Sequence, residues 1–203
     1  MGIYRKHIFP RVMDWAMHQM DELRPGTLAR AHGEVLEIGF GTGLNLPHYP
    51  SSVRKLVALD PLDALPARVE GRIARAPFPV ERFTLSAEGG LPFEDGRFDC
   101  VTMTWTLCSI AQPLPALQEM RRVLRPDGQL LFIEHGLSED PGVARWQRRL
   151  SPLHRRVTCG CNLDRPIDDL LRKAGFVLPE IKRFVLEQGP RIFTATYQGL
   201  ARP

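Results

Sequence analysis

Gly39-Phe40-Gly41-Thr42-Gly43 follows directly on the apolar run that ends at Ile38, and Asp60 closes the next apolar run, Val57-Ala58-Leu59. A chain that leaves a strand through a sharp turn needs positive φ. Glycine supplies it without a Cβ, so a ligand can approach bare backbone there. An acid about twenty residues beyond such a turn reaches the same end of an open α/β sheet, where its oxygens can accept both hydroxyls of a ribose. The spacing is GxGxG, not the GxGxxG of dinucleotide sites, and the turn alone is equally compatible with a purely structural role. Asp60 shifts the reading towards a nucleoside-type ligand. It also stands before Pro61 as a helix N-cap would, a role compatible with binding.

A second group of reactive side chains lies further along. Glu134 and His135 fall at the end of an apolar run, on the sheet edge where such folds place their ligands. With an unperturbed pKa near 6.5, His135 is suited to take a proton from a substrate, and a histidine held by backbone hydrogen bonds is the competing reading. Cys100, Cys108, Cys159 and Cys161 show no CxxC pairing and no zinc-like spacing to the histidines, so reduced thiols and no metal are expected. Cys159 and Cys161 invite a soft-metal or arsenic reading, but they lack a third convincing partner.

The elements that must position these residues follow from periodicity. Pro10 can open a helix, and Val12, Ala16, Met20 and Leu23 recur at helical spacing until Pro25-Gly26, which predicts one amphipathic helix within an N-terminal cap over residues 1–32. Strand-like runs follow at Glu34 to Ile38, Lys55 to Leu59, Val80 to Leu85, Phe98 to Thr104 and Gln129 to Glu134, with room for helices between them. That alternation marks a parallel sheet with helical crossovers. Leu117, Met120, Val123 and Leu124 form the stripe of one crossover helix, and Arg125-Pro126-Asp127-Gly128 turns it into the next strand. Ile181 to Leu186 and Ile192 to Tyr197, joined by a short Gly-Pro connection, read as an antiparallel hairpin.

A chain of 203 residues with 43% hydrophobic and 25% charged residues fits one globular domain. There is no run of eighteen or more apolar residues, and Met1 to Lys6 lacks the apolar core of a signal peptide. Gly2 is not followed by Ser or Thr at position 6, so lipid anchoring is not supported, and the cytoplasm is the expected compartment. The net charge of +4 is concentrated in Pro141 to Leu163, where Arg145, Arg148, Arg149, Arg155 and Arg156 have no acidic neighbour. Without those five, basic and acidic residues nearly cancel. A small-molecule acceptor is therefore expected as partner, and no nucleic acid.

Taken together the motifs resemble the class I methyltransferases, in particular the large group that includes the ubiquinone and menaquinone biosynthesis enzymes. The resemblance rests on Glu37 to Gly43, Asp60, Ser86-Ala87-Glu88 followed by Leu91-Pro92-Phe93, Phe98 to Val101, and Glu119 to Leu130, and it covers nearly the whole chain. It implies a Rossmann-like α/β fold: a mostly parallel seven-stranded sheet with a C-terminal antiparallel hairpin. The implied methyl donor is S-adenosyl-L-methionine, with S-adenosyl-L-homocysteine as product. The implied cofactor residues are Glu37, Gly39, Phe40, Gly41 and Gly43 at the methionine end, Asp60 and Pro61 at the ribose, Ala87 and Glu88 near the adenine, and Trp105 and Thr106 after the fourth strand. Phe40 departs from the more usual Cys or small residue, which alters cofactor packing. An aromatic face at Trp105 would favour a sulfonium by about 0.5 to 2 kcal/mol, and core filler is its equal alternative.

Trp105 to Ser109, Phe132 to Gly136 and Gly160 to Arg165, in that order, are similar to the group that contains membrane-associated alkyl-thiol methyltransferases of animals and soluble bacterial relatives. Thr158-Cys159 departs from that group's pattern before the Gly-Cys pair, and the animal proteins' membrane anchor has no counterpart, so insertion is not carried over. The resemblance favours a small, fairly apolar thiol as acceptor. O-, C- or N-methylation of a phenol, quinone precursor or lipid headgroup stands behind it, as do a nicotinamide-dependent oxidoreductase and a non-catalytic cofactor-binding module. Residues 136–162 are expected to form an acceptor lid, with Val143, Trp146 and Leu150 on one helical face and Trp146, Cys161 and Asn162 lining the pocket. A solvated surface helix and a buried inert cysteine are the simpler alternatives. The basic segment 141–156 also suits peripheral contact with anionic membrane.

Overall fold

The structure, a computed structural model, describes residues 9–18, 20–158, 160–187 and 189–203; Met1 to Lys6 and Cys159 lie outside the described residues. Two short helices come first, α1 (Phe9–His18) and α2 (Arg24–Leu28). They correct the single helix expected from Val12 to Leu23. Met20 sits in a turn, Leu23 in a 3-10 turn, and Pro25 lies in the first turn of α2, where its missing N–H costs no hydrogen bond.

The chain then alternates through β1 (Gly33–Ile38), β2 (Val53–Leu59), α3 (Pro66–Ile73), β3 (Val80–Phe83), β4 (Phe98–Thr104), α4 (Pro113–Val123) and β5 (Leu124–His135). It continues through α5 (Pro141–Val157), α6 (Ile167–Lys173), β6 (Val177–Val185), α7 (Arg191–Thr194) and β7 (Ala195–Arg202). The seven strands form one sheet in the order β3-β2-β1-β4-β5-β7-β6. The first five are parallel, and β7 pairs antiparallel with both β5 and β6. This is the Rossmann-like arrangement with a C-terminal antiparallel hairpin.

The central strands are buried on both faces, as a parallel sheet covered by helices requires. In β1, Leu36 and Ile38 join Phe98, Val101 and Phe132 in a core that includes Leu117, Met120 and Val123 of α4. The alternate residue Val35 joins Leu56, Cys100, Leu131 and Leu28 on the other face. Boundaries differ from expectation most at β5, β6 and β7, and β6 begins at Val177 rather than Ile181. Leu124 already pairs with Phe98 and Gln129 with Cys100, so Arg125 to Gly128 bulge out within β5. Ile192 to Thr194 form the short α7, so β7 starts later and runs further. Among the described residues no helix is long and apolar enough to cross a membrane.

Candidate active site

The carboxyl ends of β1, β2, β4 and β5 open on one cavity of about 750 Å³, lined by Gly39, Asp60, Trp105, His135 and Cys161 among others. Glu37, Phe40, Gly41, Pro61, Ala87, Glu88 and Thr106 line it as well. Gly39 has φ +77°, and a Cβ there would stand 2.1 Å from the Thr106 hydroxyl. Gly41, at φ +56°, has nothing within 4 Å of its would-be Cβ and so offers bare backbone to a ligand. Gly43 is not part of the lining; its neighbours are Phe40 and Leu46, which gives it a packing role.

Asp60 stands across from this turn. One carboxylate oxygen accepts the Gly41 N–H at 2.8 Å and the other the Leu62 N–H at 2.8 Å. Burial nevertheless raises its pKa, against these two bonds. Because α3 begins only at Pro66, with Leu65 as its N-cap, Asp60 is not the helix cap that Pro61 suggested. It fastens the glycine turn and presents its carboxylate to the cavity.

Beneath the turn lies a polar network that sequence reasoning missed. The buried Glu37 carboxylate accepts the Asn45 amide at 2.8 Å and the Tyr49 hydroxyl at 2.9 Å. Arg24 of α2 donates to Asn45 at 2.5 Å, and its guanidinium lies 5.1 Å from the centre of the Trp105 ring. Trp105 itself holds φ +51°, an uncommon conformation for a bulky residue, with its N–H bonded to Ile133. Helix α1 covers this end of the cavity through Met13 and Met17. It is fastened by the buried Asp14, which binds Thr42, Arg68 and Arg72 and has its carboxyl held at about 2. Burial opposes that ionisation, and the two arginines and the hydroxyl outweigh it.

At the other end, the Glu134 carboxylate accepts the backbone N–H groups of Thr106 and Leu107 at 2.8 and 2.9 Å. These bonds brace the turn after β4, and burial raises the carboxyl's pKa to about 7 against them. His135 and Cys161 face the cavity. Asn162 does not; its amide donates to the Cys108 carbonyl in the turn after β4 and to the nearby Gly160 carbonyl.

Helix α5 is turned differently from the expectation. Its buried residues are Ala144, Gln147 and Ser151, whereas Trp146 is 55% exposed and does not line the cavity. The reason is polar. Gln147 donates to the Gly136 and Ile192 carbonyls and accepts the Ser138 N–H, while Ser151 bonds Asp164 and accepts the Leu163 N–H. An amphipathic reading built on large apolar residues carries no signal for these contacts.

A parallel sheet whose first strand ends in a glycine turn, faced by an acid on the second strand and a shared cavity, is the arrangement that binds a nucleoside-type ligand. Residues 36–132 match a family described as a methyltransferase domain. The chain is 36% identical over 146 residues to thiol S-methyltransferase TMT1B of Rattus norvegicus, covering 70% of this chain and 59% of that one. It is also 36% identical over 162 residues to the Homo sapiens TMT1B, covering 77% and 66%. The chain thus spans less than two thirds of the length of these relatives. The structure of the YcgJ protein from Bacillus subtilis superposes with a TM-score of 0.66 at 17% identity, covering 91% of this chain and 96% of that one. The chain belongs to the class I methyltransferases, and its methyl donor is S-adenosylmethionine. The bare backbone at Gly41 and the carboxylate of Asp60 fit that donor.

Glu37 predicts a proton linkage. Burial pushes its pKa up to about 7, against the hydrogen bonds from Tyr49 and Asn45. In the free protein it therefore holds a proton through the window from its unfolded value near 4.5 to about 7. The stability this confers is complete below that window and is lost as pH rises through about 7. A donor with a sulfonium and an ammonium group at this end favours the ionised form, so binding near pH 6 is expected to release a fraction of a proton that Glu37→Gln abolishes. Calorimetry in buffers of different ionisation enthalpy reads the release; equal release by wild type and Glu37→Gln would exclude Glu37 as its source.

Proposed function

We propose that the protein transfers the methyl group of S-adenosylmethionine to a small, fairly apolar thiol. The observation that carries this reading is the similarity to thiol S-methyltransferases across most of the chain. It is supported by a single cavity that runs from Asp60 to His135 and Cys161. Holding donor and acceptor in line contributes roughly 7 to 11 kcal/mol of barrier lowering. The acceptor sulfur forms its bond to the methyl carbon as the sulfonium–methyl bond breaks, and S-adenosylhomocysteine leaves. His135 is the group placed to take the thiol proton. A thiol with pKa near 8.5 already supplies a few per cent of thiolate at neutral pH, whereas an alcohol would need a strong base.

An apolar thiol is therefore expected to be methylated faster than the matching alcohol or amine, and only a thiol that ionises unaided gives a rate that rises towards its own pKa. His135→Ala is expected to lose on the order of a hundredfold. If that variant retains most of its activity, the thiol ionises unaided and the base role fails. Turnover of a phenol or amine with no thiol product overturns the acceptor.

We also propose that the protein is cytoplasmic, acts on a small molecule rather than a nucleic acid, and meets anionic lipid through α5. Trp146 and Leu153 are exposed on that helix beside its five arginines, and the Arg149 guanidinium lies 5.7 Å from the Trp146 ring centre. Each arginine near an anionic surface contributes roughly 1 kcal/mol, screened by salt. Co-sedimentation with phosphatidylserine vesicles is expected to fall as salt rises and with Arg148→Glu/Arg149→Glu; no binding to these vesicles would remove this surface role.

A further inference from the structure

Three soft donor atoms meet at the acceptor end of the cavity. Cys108 in the turn after β4, His135 at the end of β5 and Cys161 after α5 have donor atoms all within 4.8 Å of one another. The two sulfurs are 3.4 Å apart, and the Cys161 sulfur lies 3.8 and 4.0 Å from the two ring nitrogens of His135. Cys108 and His135 are buried, and all three residues line the cavity. Among the described residues, sulfur atoms are the partners of the His135 ring. A buried imidazole ordinarily directs one nitrogen at a carbonyl or carboxylate.

We propose that Cys108, His135 and Cys161 bind one soft divalent cation of the zinc type and leave its fourth position open to the cavity. Tetrahedral zinc, with bonds of about 2.3 Å to sulfur and about 2.0–2.1 Å to nitrogen, needs sulfurs roughly 3.8 Å apart and sulfur–nitrogen separations of roughly 3.6 Å. The sulfur–sulfur and Cys161–His135 separations lie within about 0.4 Å of these, and the Cys108 sulfur lies within 4.8 Å of a His135 nitrogen, so side-chain rotation has to close that third pair. Two thiolates balance the charge of the dication in a buried place. Thiolate and imidazole donors select zinc over magnesium or calcium, and three protein ligands with an open position are the pattern of reactive rather than structural zinc sites. Sequence spacing conceals the set, because Cys161 is 26 residues from His135 and 53 from Cys108.

The consequence for the reaction rests on the thiol reading. An acceptor thiol in the open position would release its proton to the solvent on coordination and be held as thiolate in the cavity; in the cation-free protein that proton passes to His135. The cation site itself does not depend on that reading.

The test is titration of the full chain with cobalt(II), reduced by a phosphine and free of methyl donor and acceptor. One equivalent is expected to produce thiolate-to-cobalt charge-transfer absorption with tetrahedral ligand-field bands, and zinc to displace it. Cys161→Ser and His135→Ala are each expected to weaken cobalt binding by more than about a hundredfold, beyond what loss of an outer-shell partner costs. Cys100→Ala, in the opposite core, is expected to leave it unchanged. Circular dichroism checks that each variant is folded, and Cys161→Ser, on a half-buried residue, carries the test if His135→Ala is not. Absence of the charge-transfer band, or its survival in folded Cys161→Ser, overturns the proposal. Because no acceptor is present, either result leaves the thiol assignment to its own assay.

Discussion

Replacing Asp60 with alanine is expected to weaken binding of S-adenosylmethionine and S-adenosylhomocysteine by about ten- to a hundredfold. Charge-assisted hydrogen bonds to the ribose hydroxyls are worth roughly 1.5 to 3 kcal/mol, and every 1.4 kcal/mol is a factor of about ten. The structure adds a second effect, since the same carboxylate accepts the Gly41 and Leu62 N–H groups and alanine leaves both donors without it. Asp60→Asn separates the two contributions. Its carbonyl oxygen keeps one backbone acceptor while the charge is lost, so it is expected to melt closer to wild type than alanine does and still bind weakly. Calorimetric titration with thermal unfolding of both variants makes the measurement. Wild-type affinity in folded Asp60→Ala would refute the ribose assignment.

A second large effect distinguishes two neighbouring glycines. Gly39→Ala is expected to destabilise the free protein by roughly 2 to 5 kcal/mol, combining left-handed backbone strain of about 1–2 kcal/mol with overpacking of about 1–3 kcal/mol. The new Cβ would fall 2.7 Å from the Thr106 Cβ, and β1 and β4 hold the two residues together. At roughly 2–4 °C per kcal/mol for a chain of this size, the melting temperature falls clearly. Gly41→Ala meets no atom within 4 Å and adds only backbone strain of about 1–2 kcal/mol. Its Cβ stands where the donor approaches the turn, so cofactor affinity is expected to fall at least about tenfold in a protein that remains folded. If Gly41→Ala binds the donor like wild type, the donor does not contact this backbone. If Gly39→Ala melts like wild type, the close packing against Thr106 is not limiting.

The succession of strand runs that makes a parallel sheet, the glycine turn and the acid at the next strand's end were legible in the sequence. Each depends on local patterns: apolar runs bounded by turn residues, positive φ at glycine, and an acid at a strand end. Boundaries were less legible wherever pairing overrode local signals. Arg125 to Gly128 look like a turn, yet Leu124 and Gln129 both pair with β4. Pro25 and Gly26 look like a stop, yet α2 forms around them.

The site was legible in its cofactor half. Gly39, Gly41 and Asp60 follow the ends of β1 and β2, which are adjacent parallel strands, so their meeting follows from the topology alone. The Arg24–Asn45–Glu37–Tyr49 network joins a helix, a loop and a strand, and no spacing rule announces it. Trp146 shows the limit most plainly. It is the largest apolar residue of its helix, yet Gln147 is buried in its place because the amide satisfies three backbone groups that burial would otherwise leave unpaired. The Cys108–His135–Cys161 cluster likewise exists only once β4, β5 and the segment after α5 are packed. Periodicity and turn chemistry act over a few residues and are written in order along the chain. Which polar groups must find each other across elements is decided by the desolvation of the folded interior, and that has no counterpart in the linear sequence.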